Sequence, residues 1–165
     1  MVIDDVAAEG ALGGGAAWRL FTDQVMGGVS AGSLTLEVVA GRPALHLRGG
    51  VRLENNGGFV QMARDVAHGK AFDASGFEAF ELDVFGNGET YGLHLKTADT
   101  ARPWQSYRQN FTAEPRWQRL RLPLAGFAPH RVEAPFDPSR LRRIGLVAIG
   151  RAFYADVALA RLALV

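Results

Sequence analysis

Two stretches of this 165-residue chain are best equipped for chemistry: Leu53-Glu54-Asn55-Asn56-Gly57-Gly58-Phe59-Val60-Gln61-Met62 and Arg102-Pro103-Trp104-Gln105-Ser106-Tyr107-Arg108-Gln109. Both set amides, arginine and aromatic rings beside glycines on strand-like sequence, which suits holding a polar partner and supplies no evident nucleophile. The candidate binding set is Gln61, Arg64, His94, Lys96, Trp104, Gln105, Tyr107, Arg108, Gln109 and Arg151. Burying an unpaired arginine costs several kcal/mol. These groups must therefore pair internally, face water or face a partner, and arginine with glutamine suits bidentate contact to carboxylates, amides or sugar hydroxyls. Arg108 alternates with Tyr107 and Gln109, so the two sets project to opposite sides of a regular strand.

Catalytic patterns are weaker. Gly28-Val29-Ser30-Ala31-Gly32 fits the G-x-S-x-G elbow of esterases. An elbow joins a strand to a helix, whereas the residues from Ser33 onward alternate like a strand, so a glycine-rich turn is the better reading. Gly27-Gly28 and Gly57-Gly58 lack the Lys-Ser/Thr and the following helix of a phosphate loop. Glu81 and Asp83 share one face of a strand and Glu54 lies on another segment. A glycosidase needs two carboxylates about 5 to 9.5 Å apart, and alternating acids on a strand more often form a solvated face.

Histidines 46, 68, 94 and 130 lack the short spacings of a metal site, so neither a metal nor another cofactor is expected. His94 shares the non-core face of its strand with Lys96, where it either faces a ligand or plays a solvated or hydrogen-bonded structural role. Trp104 is open between a stacking platform and a rim residue, and Trp117 reads as core or rim. Arg140, Arg142 and Arg143 have no interleaved aromatics and read as a solvated turn rather than an RNA groove.

The elements that must position these groups are strands. Leu34–Val39 and Ala44–Arg48 form a hairpin around Ala40-Gly41-Arg42-Pro43. Gly50–Glu54 and Phe59–Arg64 flank Asn55-Asn56-Gly57-Gly58, residues that tolerate the positive φ of a tight turn. Further strands are expected at 79–85, 90–96, 106–113, 118–124, 143–149 and 155–164, about ten in all. Only Asp137-Pro138-Ser139-Arg140-Leu141 reads as helical, with Asp137 capping and Pro138 at the first position. Many short strands without crossover helices imply an all-β, two-sheet sandwich or jelly roll.

Composition sets the bounds. Hydrophobic residues make up 48% and charged residues 21%, the balance of an ordinary globular domain. Eighteen basic against seventeen acidic residues leave a net charge of +1, too small for a global field toward nucleic acid or an anionic membrane. Lysine occurs only at Lys70 and Lys96, so arginine carries the positive charge, in keeping with planar hydrogen-bonded recognition. No cysteine is present, which excludes disulfides and thiolate metal sites. With no signal-like start and no span-length apolar run, a cytoplasmic chain without membrane insertion is expected. Gly10, Gly13, Gly14 and Gly15 read as a linker, giving a leader at 1–17 and a domain at 18–165.

Several segments, in order, resemble the complex I intermediate-associated protein 30 family: Phe21-Thr22-Asp23-Gln24-Val25-Met26-Gly27-Gly28-Val29-Ser30, Glu54-Asn55-Asn56-Gly57-Gly58-Phe59-Val60-Gln61, Tyr91-Gly92-Leu93-His94-Leu95-Lys96-Thr97, Trp104-Gln105-Ser106-Tyr107-Arg108-Gln109 and Ile144-Gly145-Leu146-Val147-Ala148-Ile149-Gly150-Arg151. The resemblance implies a galactose-binding-domain-like jelly-roll β-sandwich and no enzyme activity. It further implies an assembly factor or chaperone for a protein partner, such as respiratory-complex subunits or assembly intermediates, in a bare, bacterial-type member. The same fold makes a carbohydrate-binding module, with a glycan held on a polar and aromatic patch of one sheet, the alternative. An RNA-associated role ranks third.

Overall fold

The computed structural model describes residues 1–9 and 17–165, so the expected glycine-rich linker lies outside the described residues. Among these the chain forms twelve strands: β1 (Val2–Asp5), β2 (Arg19–Thr22), β3 (Ala31–Val39), β4 (Arg42–Val51), β5 (Phe59–Asp65), β6 (Ala79–Phe85), β7 (Thr90–Thr97), β8 (Ser106–Thr112), β9 (Gln118–Pro123), β10 (Ala128–His130), β11 (Leu141–Ile149) and β12 (Phe153–Leu164). The first sheet runs β3-β4-β12-β6-β9, with β1 added on β12, and the second runs β10-β8-β7-β11-β5-β2. Every strand pair is antiparallel. The two sheets face each other across one core, the jelly-roll β-sandwich that strand spacing implied.

Alternation decides which side chains enter that core. On β6, Phe80, Leu82 and Val84 are fully buried between the sheets, while Glu81 and Asp83 point to the outer face. Leu93 and Leu95 on β7 and Ile144 and Leu146 on β11 do the same for the second sheet. Full burial of one such aliphatic side chain stabilises by about 1.5–3 kcal/mol.

The β3–β4 hairpin turns through Ala40 and Gly41, both at positive φ (45° and 81°), the two-residue geometry that matches strand twist. The Asn55-Asn56-Gly57-Gly58 segment does adopt positive φ at Asn55, Asn56 and Gly58. It does not close a hairpin, however. β4 belongs to the first sheet and β5 to the second, so this segment carries the chain from one layer to the other.

Residues 2–6 also belong to the sandwich, although they lie ahead of the expected domain start near Trp18. β1 pairs with β12, Val6 is 1% exposed, and the Trp18 indole donates to Asp4 at 2.6 Å. At Pro138–Arg140 a 3-10 turn forms with the Asp137 carboxylate accepting from the Ser139 amide, as the capping pattern predicts. No described helix is long and apolar enough to cross a membrane.

Candidate functional site

Strand register lays out the outer face of the second sheet row by row. One row runs Ala128, Arg108, His94, Gly145, Ala63, Arg19 across six strands, and the next runs Asn110, Gly92, Val147, Gln61, Phe21 across five. Small residues at the centre make a trough. A methyl added at Gly92 would lie 2.8 Å from His94 Nε2 and 3.2 Å from Asn110 Oδ1, and one at Gly145 would lie 2.9 Å from Gln61 Oε1. Glycine at both places lets an imidazole and two amides lie flat on the sheet. Gln61, His94 and Asn110 make no side-chain hydrogen bond to any described residue.

Cations line one end of this trough. Arg108 and His94 are direct cross-strand neighbours, Lys96 is two residues along β7, and His130 on β10 pairs with Ser106 on β8. Arg108 uses Nε on Ser106 Oγ at 2.8 Å, which leaves the terminal guanidinium nitrogens open. Lys96 Nζ donates to the carbonyls of Pro103, at 2.6 Å, and of Gln105. Those carbonyls flank Trp104, whose ring stands 54% exposed at the edge of the trough. Burial holds the His94 imidazole near a pKa of 3, with Arg108, Lys96 and His130 adding repulsion. The same two causes bring Lys96 down to about 8.

On β11 the cross-strand neighbour of Lys96, Arg143, ion-pairs with Asp65 on β5 at 3.0 Å and stands 5.7 Å over the Phe21 ring of β2. A hollow of about 260 Å³ opens there, with Arg19, Phe21, Ala63, Asp65, His68 and Arg143 in its wall.

The structure thus brings together Gln61, His94, Lys96 and Arg108, with Trp104 beside them, and sends the other expected site residues elsewhere. Arg64 donates to the Ile3 carbonyl at 3.2 Å and pairs with Asp4, fastening β1. Gln105 closes its own loop through the Arg102 amide and the Arg131 carbonyl. Tyr107 is fully buried, with its hydroxyl on the Ala134 carbonyl at 2.8 Å. Gln109 follows Tyr107 inward and donates to the Pro123 carbonyl at 2.9 Å. Arg151 pairs with Glu89 and stacks 4.0 Å over Phe153. Asn110 and His130 were missed. Asn110 could have been found by continuing the alternation outward from Arg108.

The segment carrying the elbow pattern has a structural task. Asp23, with no exposed surface, accepts from the amides of Ser30 (2.9 Å), Gly58 (2.6 Å) and Phe59 (3.2 Å) and from the Ser30 hydroxyl. Burial pushes its carboxyl up, but these donors outweigh burial and leave it below the usual carboxylate range. The Ser30 hydroxyl also accepts from the Arg52 amide at 2.9 Å and is itself fully buried, so it is no nucleophile.

A methyl at Gly28 would fall 2.4 Å from Asp23 Cγ, and one at Gly57 would fall 2.6 Å from Asp23 Oδ2. Close packing on one carboxylate therefore explains a glycine in each Gly-Gly pair. Val25, Met26 and Leu53, in and beside the two segments this carboxylate joins, are 75%, 65% and 47% exposed.

The carboxylate candidates do not converge. Glu81 and Asp83 are held by Arg161, Arg119 and Arg42 on the outer face of the first sheet, and Glu54 pairs with Arg52 in a loop. Trp117 also lies on that face, against Phe85 and under Arg42. Arg140 and Arg143 pair with Asp99 and Asp65, and Arg142 caps the Gly69 carbonyl. Among the described residues no group of three or more His, Asp or Glu side chains is arranged to hold a metal ion.

Solved structures resemble this one. The family 11 carbohydrate-binding module of cellulase Lic26A-Cel5E from Clostridium thermocellum superposes with a TM-score of 0.76 at 11% identity, covering 100% of this chain and 93% of that one. The Clostridium thermocellum family 11 module in complex with a β-1,3-1,4-mixed-linked tetrasaccharide gives 0.73 at 10% identity, covering 94% and 92%. The family 30 module of cellulase Cel9D-Cel44B, also from Clostridium thermocellum, gives 0.59 at 16% identity, covering 83% and 91%. At such identities the likeness shows a shared fold. No curated relative matches the chain. Residues 13–159 match the family described as Complex I intermediate-associated protein 30, and by that match over most of its length the chain belongs to this family.

Proposed function

We propose that this chain is a non-enzymatic binding domain that serves as an assembly factor for a protein partner and engages it with the outer face of the second sheet. The observation that carries the reading is the trough of Gln61, His94, Asn110 and Arg108, polar groups on a rigid sheet whose hydrogen-bonding capacity is left open by the fold. Desolvating such groups is favourable only when a partner supplies their bonds. Family membership supports a partner among respiratory complex I subunits or their assembly intermediates. Exposed Val25, Met26 and Leu53, beyond the end of β2 and ahead of β5, offer apolar contact of the kind protein interfaces use.

A glycan reading draws on one observation, the exposed Trp104 at the trough edge, together with the fold shared with carbohydrate-binding modules. It is weakened by Tyr107, the other ring the sequence offered for stacking on that strand, lying in the core.

The discriminating experiment is capture from detergent-solubilised cell membranes with wild-type chain and with the Gln61→Ala/Asn110→Ala double variant. Recovery of complex I subunits by wild type and their loss with the folded variant is the expected result. Equal recovery by both, or saturable binding of a mixed-linkage β-glucan oligosaccharide with no protein captured, overturns the reading.

A further inference from the structure

Five cationic or potentially cationic side chains gather at the β10, β8 and β7 end of the trough: Arg108, Lys96, His94, His130 and Arg131. None of them ion-pairs with a carboxylate among the described residues, although the described chain makes thirteen such contacts elsewhere. The cluster is partly withdrawn from water as well as uncompensated. Arg108, Lys96, His94 and His130 are all partly buried. Burial and mutual repulsion lower the ionisation of each: burial then Arg131 act on Arg108, and burial then Arg108 act on Lys96. Gathering unneutralised charge in a partly desolvated place is costly, and a protein that pairs its charges so thoroughly on its other sheet forgoes that here.

The geometry fits a small oxyanion. The free terminal nitrogens of Arg108 form a planar fork. The cross-strand His94 offers an unengaged ring, and Lys96 is fixed in place by the Pro103 and Gln105 carbonyls with its charge uncancelled. We infer that Arg108, Lys96 and His94 form a docking point for an oxyanion, a carboxylate or phosphate group, carried by the partner protein. This rests on the protein-partner reading and adds the chemistry of the contact. A nucleic-acid strand fits less well, because the cations form one cluster rather than a backbone-tracking stripe, and Trp104 is the one strongly exposed ring beside them.

The free site holds His94 neutral and Lys96 protonated up to about pH 8. The charged or titratable groups near Lys96 are His94 on its own strand, Arg108 on β8, His130 on β10, Arg131, and Arg143 on β11 with its partner Asp65 on β5. An anion seated there favours the protonated forms, so affinity falls as pH rises through about 8.

The test titrates the intact chain with three hexapeptides differing in one central triplet: Asp-Glu-Asp, Asn-Gln-Asn, and one carrying phosphoserine. A single-stranded oligouridine is the fourth probe. Either anionic peptide is expected to bind at least tenfold more tightly than the neutral one, and whichever is tighter identifies the group as carboxylate or phosphate. Arg108→Ala is expected to remove that advantage, Arg108→Lys to restore part of it, and Arg121→Ala, on the other sheet, to leave it unchanged.

Equal affinity for the neutral peptide and for both anionic ones, an unaltered Arg108→Ala with its fold intact, or tighter binding of the oligouridine overturns the inference. Capture of complex I subunits without any anion preference would sink the docking point and leave the assembly reading standing. Anion preference without protein capture would do the reverse.

Discussion

The outer faces of the two sheets are built from the same kinds of residue and end in opposite electrostatic states. On the first sheet Asp83, 2% exposed, is gripped by Arg119 at 2.7 Å and Arg42 at 2.7 Å. Glu81 takes Arg161, and His46 stands between Glu37 at 2.9 Å and Asp156 at 2.5 Å. Ala44, Ala158 and Ala160 pack with Val39, Phe85 and Trp117 into a second small apolar cluster on that face. Its polar and apolar needs are met within the chain. On the second sheet Arg108, Lys96 and His94 have only neutral partners or none, above a floor of glycine and alanine. A face that neutralises itself contributes to the folded state, whereas one that leaves cations uncompensated gains from outside.

Substitutions can break or sharpen that contrast. The Asp23 carboxylate sets the upper end of the scale, since four donors converge on a group with no exposed surface. Asp23→Ala is expected to cost roughly 3–5 kcal/mol in urea unfolding. On the self-neutralised face, Asp83→Ala strands Arg42 and leaves Arg119 only its longer contact with Glu81 at 3.5 Å, and the partial exposure of both limits the loss to about 2 kcal/mol. A neutral outcome there would erase the distinction between the faces.

For the second sheet the informative variable is pH. The folded chain resists protonating His94 until about pH 3, whereas the unfolded chain takes that proton near 6.5. Stability is therefore lost as pH falls from 6.5 toward 3. His94→Gln removes this contribution and should move the acid-unfolding midpoint to lower pH, as followed by circular dichroism. Arg108→Ala relieves repulsion within the cluster and should leave stability within about 0.5 kcal/mol of wild type or above it. Trp104→Ala, on a mostly exposed ring, should have the smallest effect on the melting temperature while altering ligand binding.

The sandwich was legible because alternation on strands such as β6 and β7 is clean: Phe80, Leu82 and Val84 against Glu81 and Asp83, Leu93 and Leu95 against His94 and Lys96. Strands of three or four residues, β1, β2 and β10, carry too few positions for a period to show. The site was legible in part for the same reason. Alternation separated Arg108 from Tyr107 and Gln109, yet it could not say which parity faced the core, and both amides near Tyr107 proved to be internal ties.

The role of Asp23 was hidden because its donors lie up to 36 positions away along the chain. Glycines at 28 and 57 were visible as glycines, but the carboxylate that excludes a side chain from both emerges only in three dimensions. Likewise the want of acids around Arg108 is a property of the assembled sheet, while the composition shows near balance.

Each sheet has one of the last two strands in its interior: β11 between β7 and β5, and β12 between β4 and β6. A nascent chain that has left the ribosome only as far as residue 140 thus carries two half-layers whose facing edges have nothing to hydrogen-bond. Closure waits for a single late segment that wedges into both at once, which makes the approach to the native state dependent on distant pairings and slow by nature. Until that wedge arrives, bare edges such as those of β4 and β7 are the places where an incomplete chain would snag another.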